Sequence, residues 1–460
     1  SGRGRSREDS DARMKVKVLT RNEEDFTRER KTDVVKVFRN PDPALHPFER
    51  AREYTRALNA TKLDKVFAKP FARALSGHRD AVACMARSRM RITDIASGSC
   101  DGELRLWDLA RGEPRWAAPA HQGFVRGVSF SPDGNSMWTC GEDKTIKLWD
   151  RDVAEGLSGS QILPTATILG QFPFMGLDTH WSEDLVATCG VDVQIWDPQR
   201  SEPVTTLTWG SESVTSVRFN PVEHHVLASC ASDRSVVLHD LRSSTAIRKL
   251  VLAKRSNRVA WNPLEAFNFV LANEDHNLYT YDMRKLDIAK CVHKDHVSAV
   301  LDVDFSPTGR EFVTGSYDRT VRIFDHNQGR SREVYHGKRM QRIWAVLFSA
   351  DARWVMSASD DFNIRLWKAR ASDSVKPLLP REKKQKEYQD KLKERFKELP
   401  EVKRIARHRH LPKAVLKASK LKGIIKTSKK RKEDNVRAHS KKGAVPFVAD
   451  RKKAMVAEVK

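Results

Sequence analysis

The chain of 460 residues carries 84 Lys and Arg against 60 Asp and Glu, a net charge of +24, with 39% apolar residues and 11 Trp. That apolar fraction supports a folded core, while the charge exceeds what solubility requires and points to a polyanionic partner. No run approaches the roughly 18 apolar residues of a membrane span and no charged-then-apolar leader opens the chain, so the sequence predicts an intracellular, soluble protein.

In chain order, residues 1–13 (SGRGRSREDSDAR) are polar and aromatic-free and are predicted to be a disordered extension. Residues 14–65 are predicted to form an extended N-terminal segment. From there to about residue 376 the chain repeats an ending: Trp107-Asp108, Trp149-Asp150, Trp196-Asp197, His239-Asp240, Tyr281-Asp282, Phe324-Asp325 and Trp367-Lys368. Copies fall roughly 42 to 47 residues apart, the period of a four-stranded propeller blade, and seven copies predict seven blades over 66–376. An aspartate stands seven positions before the end of most copies: Asp101, Asp143, Asp233, Asp275, Asp318 and Asp361. It precedes an alternating run such as Thr145-Ile146-Lys147-Leu148-Trp149 and so marks a hairpin turn.

About 22 residues before that aspartate, three copies hold His78, His121 and His296. At this spacing the copies resemble WD40 repeats, which implies a buried relay of hydrogen bonds among His78, Asp101 and Trp107, among His121, Asp143 and Trp149, and between His296 and Asp318. A catalytic reading of the histidines is weaker, because no phosphate loop, nucleophile elbow or metal cluster accompanies them; no catalytic residue, cofactor or metal is assigned. Ser131-Pro132-Asp133-Gly134, Ser306-Pro307-Thr308-Gly309, Asn220-Pro221 and Asn262-Pro263 fall where the first two strands of a blade should turn. The third copy lacks both histidine and aspartate, which predicts a shortened turn. Residues 66–75 are the natural donor of the outer strand that closes the ring. Cys100, Cys140, Cys189 and Cys230 recur about one blade apart, which favours buried reduced thiols over disulfides.

The ring is close to neutral, whereas residues 381–460 hold about +18 of the charge. The region 377–460 is predicted to be a basic, mainly α-helical extension on an all-β, seven-bladed WD40 β-propeller. Tyr388, Leu392, Phe396 and Leu399 form an apolar stripe at helical spacing before Pro400. Either that stripe packs on protein, or its helix also lies along RNA phosphates. Arg404, Arg407, Arg409 and Lys413 (RIARHRHLPK) and Lys429, Lys430, Arg431 and Lys432 (SKKRK) are candidate RNA contacts or a nuclear address. His408 and His410 are too sparse a pair to predict a metal site.

Three stretches outside the repeats resemble one family: MKVKVLTRN from Met14, NPDPALHPFERAREYTRALNATKLDKVFAKPF over 40–71, and RIARHRHLPK with SKKRKEDN and Ser440-Lys441-Lys442-Gly443. By them the chain resembles the WD and SOF domain-containing proteins of the small-subunit processome. The resemblance implies a nucleolar, non-catalytic scaffold that meets pre-ribosomal RNA, the box C/D small nucleolar RNP and other processome proteins. It is also similar to substrate receptors of cullin-RING ubiquitin ligases through Asp-x-Arg endings, here Asp240-Leu241-Arg242 and Asp282-Met283-Arg284, although the preceding tryptophan is replaced in both. That similarity implies a ligase-adaptor contact at Arg242 and Arg284; the other reading is a pair of surface arginines tying adjacent blades.

Overall fold

The computed structural model describes residues 42–151, 162–208, 213–243, 245–375 and 377–459. The extension 1–13, the segment from Met14 and the start of the 40–71 stretch lie outside them. Two compact units emerge, one built from the N-terminal residues together with 374–406, the other from 67–373 together with 407–460.

The larger unit is a ring of seven antiparallel sheets, six with their strands in chain order from the inside out and the seventh closed by the first strand of the chain. Blade 2 is representative: Val125–Phe130, Ser136–Gly141, Thr145–Asp150 and Ala166–Leu169. The pleat sets Ile146 and Leu148 on one face and Thr145, Lys147 and Trp149 on the other, with Ile146 and Trp149 buried and the rest partly covered. The turn sequences fall between first and second strands, with Gly134 (φ 69°) and Gly309 (φ 62°) in the left-handed region that a side chain disfavours. In blade 3 the turn is shortened: Cys189 pairs directly with Val193, whereas the equivalent Cys140 pairs with Ile146.

Packing lies mainly between blades rather than within them. Val313, Val321 and Ile323 of blade 6 pack on Val346, Phe348 and Trp367 of blade 7. Strands such as Val226–Ala231 are buried at every position, on both faces, which a single blade could not achieve alone, so the ring becomes stable as an array. Phe71–Leu75 pairs with Ile364–Lys368 and supplies blade 7 with its outer strand, and Leu75 joins Val82, Trp107 and Leu366 in one cluster. The first and last blades are thereby stapled and no edge is left at the junction. All six cysteines are free thiols. Burial pushes Cys84 and Cys189 up to about 12, so neither is a ready nucleophile.

The smaller unit corrects the prediction of an extended segment over 14–65. Its described part holds the 18-residue helix α1, Glu49–Val66. Dense charge hides the helical period in the sequence, but Ala57, Ala60 and Thr61 share one buried face small enough for close helix approach. Helix α2, Pro380–Arg395, packs against it with Leu392 buried, Tyr54 edge-on to Phe396 and Arg395 paired with Glu53 at 2.7 Å. The stripe of Tyr388, Leu392, Phe396 and Leu399 is therefore graded: Leu392 is covered, whereas Tyr388 and Leu399 stay exposed. Helix α3, Pro400–Arg407, buries Val402, and Glu401 accepts the Tyr54 hydroxyl at 2.9 Å. The region 377–460 is thus not one domain, because 407–460 belongs with the ring.

Candidate nucleic-acid and docking surfaces

Beyond α3 the chain runs along the ring and forms helix α4, Lys413–Ala438, about 39 Å long at the usual rise. Nine Lys or Arg lie between Lys413 and Lys432, with no acidic residue until Glu433. Val415 is buried and Lys422 donates to the carbonyl of His296 at 2.9 Å, which fixes one helix face against blade 6. Lys413, Lys429, Lys430, Arg431 and Lys432 are exposed, as are Arg404 and Arg407. None of Lys429 to Lys432 makes an ion pair among the described residues. An exposed cationic run over 413–432 with no acidic residue inside it is suited to a phosphate backbone.

Arg409 is different. Its guanidinium binds Asp295 at 2.7 Å and Ser331 at 2.6 Å, with about four-fifths of both charged side chains covered. Burial opposes ionisation of Asp295, but the Ser331 and Arg409 bonds outweigh it and hold the carboxyl low. Arg409 therefore anchors the tail: its Nη1 is spent on the ring, which sets it apart from the exposed candidate RNA contacts. His410 stacks on His336 with 5.4 Å between ring centroids, and no cluster of three or more metal-ligating side chains occurs among the described residues. After α4 the chain returns to blade 4. Met455–Val459 adds a fifth strand beside Thr245–Leu252, and Ala454 enters the cluster of Leu250, Leu252 and Ala289.

Sequence reasoning missed this final strand and the Arg409 anchor. MVAEV has the alternation of a strand, but a five-residue run at the end of a basic tail is a weak signal. Which charge finds a partner depends on residues over 100 positions away.

The histidine sites differ among blades. In blade 2 the Trp149 indole donates to Thr139 Oγ1 at 2.9 Å, and His121 Nε2 meets the same hydroxyl at 2.9 Å. His121 Nδ1 meets Asp143 at 3.0 Å. Burial lowers the His121 pKa, so the ring is neutral, and the chain of donors runs from Trp149 through Thr139 to His121 and on to Asp143. In blade 6, His296 links Thr314 at 2.7 Å to Asp318 at 3.0 Å, with Phe324 in the tryptophan position stacked on Phe312. Blade 1 departs from the predicted set. Trp107 and His78 share Ser97 at 2.7 and 2.6 Å, but Asp101 is exposed and accepts the amide of Glu103. Glu103 approaches His78 at 3.4 Å instead. Asp101 is thus outside the relay: it caps its own turn, as Asp143 does, but Glu103, where blade 2 has Thr145, takes the place beside His78.

On the opposite rim, Arg242 and Arg284 each fold back onto the aspartate two residues earlier, at 3.3 and 2.8 Å. Both remain about two-thirds exposed, and Arg284 lies 4.2 Å over the Phe267 ring. Neither ties adjacent blades through a carboxylate. Each guanidinium is held by its own turn through Nε and Nη2, which leaves Nη1 without a hydrogen-bond partner among the described residues.

Comparison with known proteins fits this architecture. A Sof1-like domain matches residues 369–455, and WD-domain G-beta repeats match 69–108, 112–150, 201–240, 289–325 and 329–368. DDB1- and CUL4-associated factor 13 of Homo sapiens is 52% identical over 447 residues, covering 97% of this chain and all of that one. The Danio rerio protein of the same name is 53% identical over 443 residues, covering 96% and 99%. Protein SOF1 of Saccharomyces cerevisiae is 44% identical over 468 residues, covering 97% and 95%. The chain belongs to the WD and SOF domain-containing family. For this WD and SOF protein the Sof1-like match takes in both α2, of the smaller unit, and the anchored tail. The WD40 beta propeller domain of Doa1 shares the fold alone, with a TM-score of 0.56 at 19% identity, covering 65% of this chain and 96% of that one.

Proposed function

We propose that this protein is a non-catalytic scaffold subunit of the nucleolar small-subunit processome. In that role it supports pre-ribosomal RNA processing and small-subunit assembly, with the ring docking processome proteins and the box C/D small nucleolar RNP. The observation that carries the reading is α4: an exposed run of cations, anchored to a near-neutral ring by Arg409 and Lys422, offers a preformed rail for RNA phosphates. The test is charge reversal at Lys429, Lys430, Arg431 and Lys432 in the full chain, with Arg409 kept. Each phosphate contact on single-stranded RNA contributes a slope of roughly −0.7 in log affinity against log salt, so four lost contacts flatten it by about 3. Unchanged affinity and slope, or failure to crosslink pre-ribosomal RNA in cells, would sink the reading.

A second role, receptor for a cullin-RING ligase, is favoured by the preorganised Arg242 and Arg284 and by the relatives' name, which associates those proteins with DDB1 and CUL4. Arg242→Glu with Arg284→Glu is expected to abolish adaptor pull-down while the protein stays with pre-ribosomes. Adaptor binding that survives the double reversal rules this contact out.

A further inference from the structure

Between the second and third strands of six blades, the residue after the turn aspartate adopts a left-handed backbone. Blade 1 uses Gly102 (φ 86°), the residue for which this conformation is unstrained. The other five hold Lys144, Arg234, His276, Arg319 and Phe362, at φ between 63° and 72°. A side chain there is disfavoured, so five blades accept a backbone cost that glycine would remove. Three of these residues, Lys144, Arg234 and Arg319, are exposed cations. None of the three makes an ion pair with the aspartate beside it among the described residues, because those carboxylates point elsewhere. Asp143 and Asp318 are bonded to His121 and His296, and Asp233 to Ser235 and Lys249.

The connections from each outer strand to the next inner strand open on the same face, tied to these turns by backbone bonds such as Glu142 N to Phe124 O (3.2 Å) and Asp360 N to Arg342 O (3.1 Å). That face also carries four large rings open to solvent: Phe124 at 40%, Phe172 at 47%, Tyr317 at 42% and Phe362 at 44%. Two are backed by a guanidinium, Arg126 over Phe124 and Arg342 over Tyr317, with those arginines held by Glu142 and Asp360. α4 reaches the same face, since Lys422 caps the carbonyl of His296 there.

We infer that this turn face of the ring is a second RNA-binding surface, taking single-stranded RNA with phosphates on Lys144, Arg234 and Arg319 and unstacked bases on Phe124, Tyr317 and Phe362. The inference rests on the RNA reading given for α4 and extends it to a strand continuing from the helix onto the ring. Cations alone would suit any polyanion. Exposed rings set among them suit bases that are free to stack, which duplex RNA does not offer.

The test uses the full chain, fluorescent poly(U) of about 30 nucleotides, a duplex of equal length and poly-glutamate. Lys144→Gly, Arg234→Gly and Arg319→Gly combined remove three charges with the residue the backbone favours, so the ring stays folded. Poly(U) affinity at low salt should fall on the order of tenfold, and the salt slope should flatten by about 2. Phe124→Ala with Phe362→Gly should weaken poly(U) binding with the slope unchanged, because stacking releases no counterions. Parental affinity and slope in the triple glycine variant, while reversal at Lys429 to Lys432 abolishes binding, overturns this inference and leaves the α4 reading standing. Parental binding in both variants overturns both. Duplex RNA or poly-glutamate bound as tightly as poly(U) by the parent, with equal losses in the variants, also overturns it, since a general polyanion surface needs no stacking rings.

Discussion

Asp101 and Asp143 occupy the same position of consecutive repeats, yet the structure gives them opposite consequences on truncation. Asp143 accepts His121 Nδ1 at 3.0 Å, the Thr145 amide at 3.1 Å and hydroxyl at 2.8 Å, and the Gln122 amide at 3.2 Å. The His121 side chain is fully buried, so Asp143→Ala leaves its N–H only the Thr145 hydroxyl, 3.0 Å away, and no access to water. Losing the carboxylate acceptor of a buried donor costs about 1–3 kcal/mol, and the weakened turn adds to it, giving about 2–4 kcal/mol in all. Asp101 accepts only the Glu103 amide and faces solvent, so Asp101→Ala should cost under about 0.5 kcal/mol, water replacing the carboxylate. Guanidinium unfolding of the full chain, compared at constant m-value, separates the two. At about 2–4 °C per kcal/mol for a domain approaching this size, Asp143→Ala should lower Tm by several degrees and Asp101→Ala by about one. Equal losses at the two positions would refute the reasoning, because sequence position rather than the observed bonding would then set the energy.

Other expectations follow from the same geometry. Burial holds His78, His239 and His293 at about 4, below the ordinary 6.5, so each is neutral in the fold. Their contribution is present above pH 6.5 and lost as pH falls from 6.5 through 4, about 2 kcal/mol per histidine at pH 5; a Tm at pH 5 equal to that at pH 7.5 contradicts this. Arg409→Ala removes the anchor on Asp295 and should speed amide exchange over 407–425 with little change in global Tm; unaltered protection would mean that the last strand alone holds the tail. Deleting 455–460 bares the edge of Thr245–Leu252 and the Leu250 and Leu252 side chains, so light scattering should report self-association; a monomer at all concentrations argues against an edge-capping role.

Much of the ring is legible in the sequence because its determinants are local. A period near 43 residues, a turn aspartate and an alternating strand recur in most copies, so blade number, turn positions and the shortened third turn, where the aspartate is missing, need no long-range information. The helix α1 was hidden because small residues, not large apolar ones, form its buried face, and charge swamps the pattern. Both Asp101 and Asp143 accept the amide two residues on, but only Asp143 also reaches its histidine, a difference that the shared motif does not disclose. The tail shows the limit most plainly. Charge counting finds a cationic segment but cannot tell Arg409 from Arg407, since only the folded ring brings Asp295 and Ser331 to one of them. Nor can MVAEV announce its partner: every blade has an outer strand, and only the path of the tail along the ring brings it beside Thr245–Leu252.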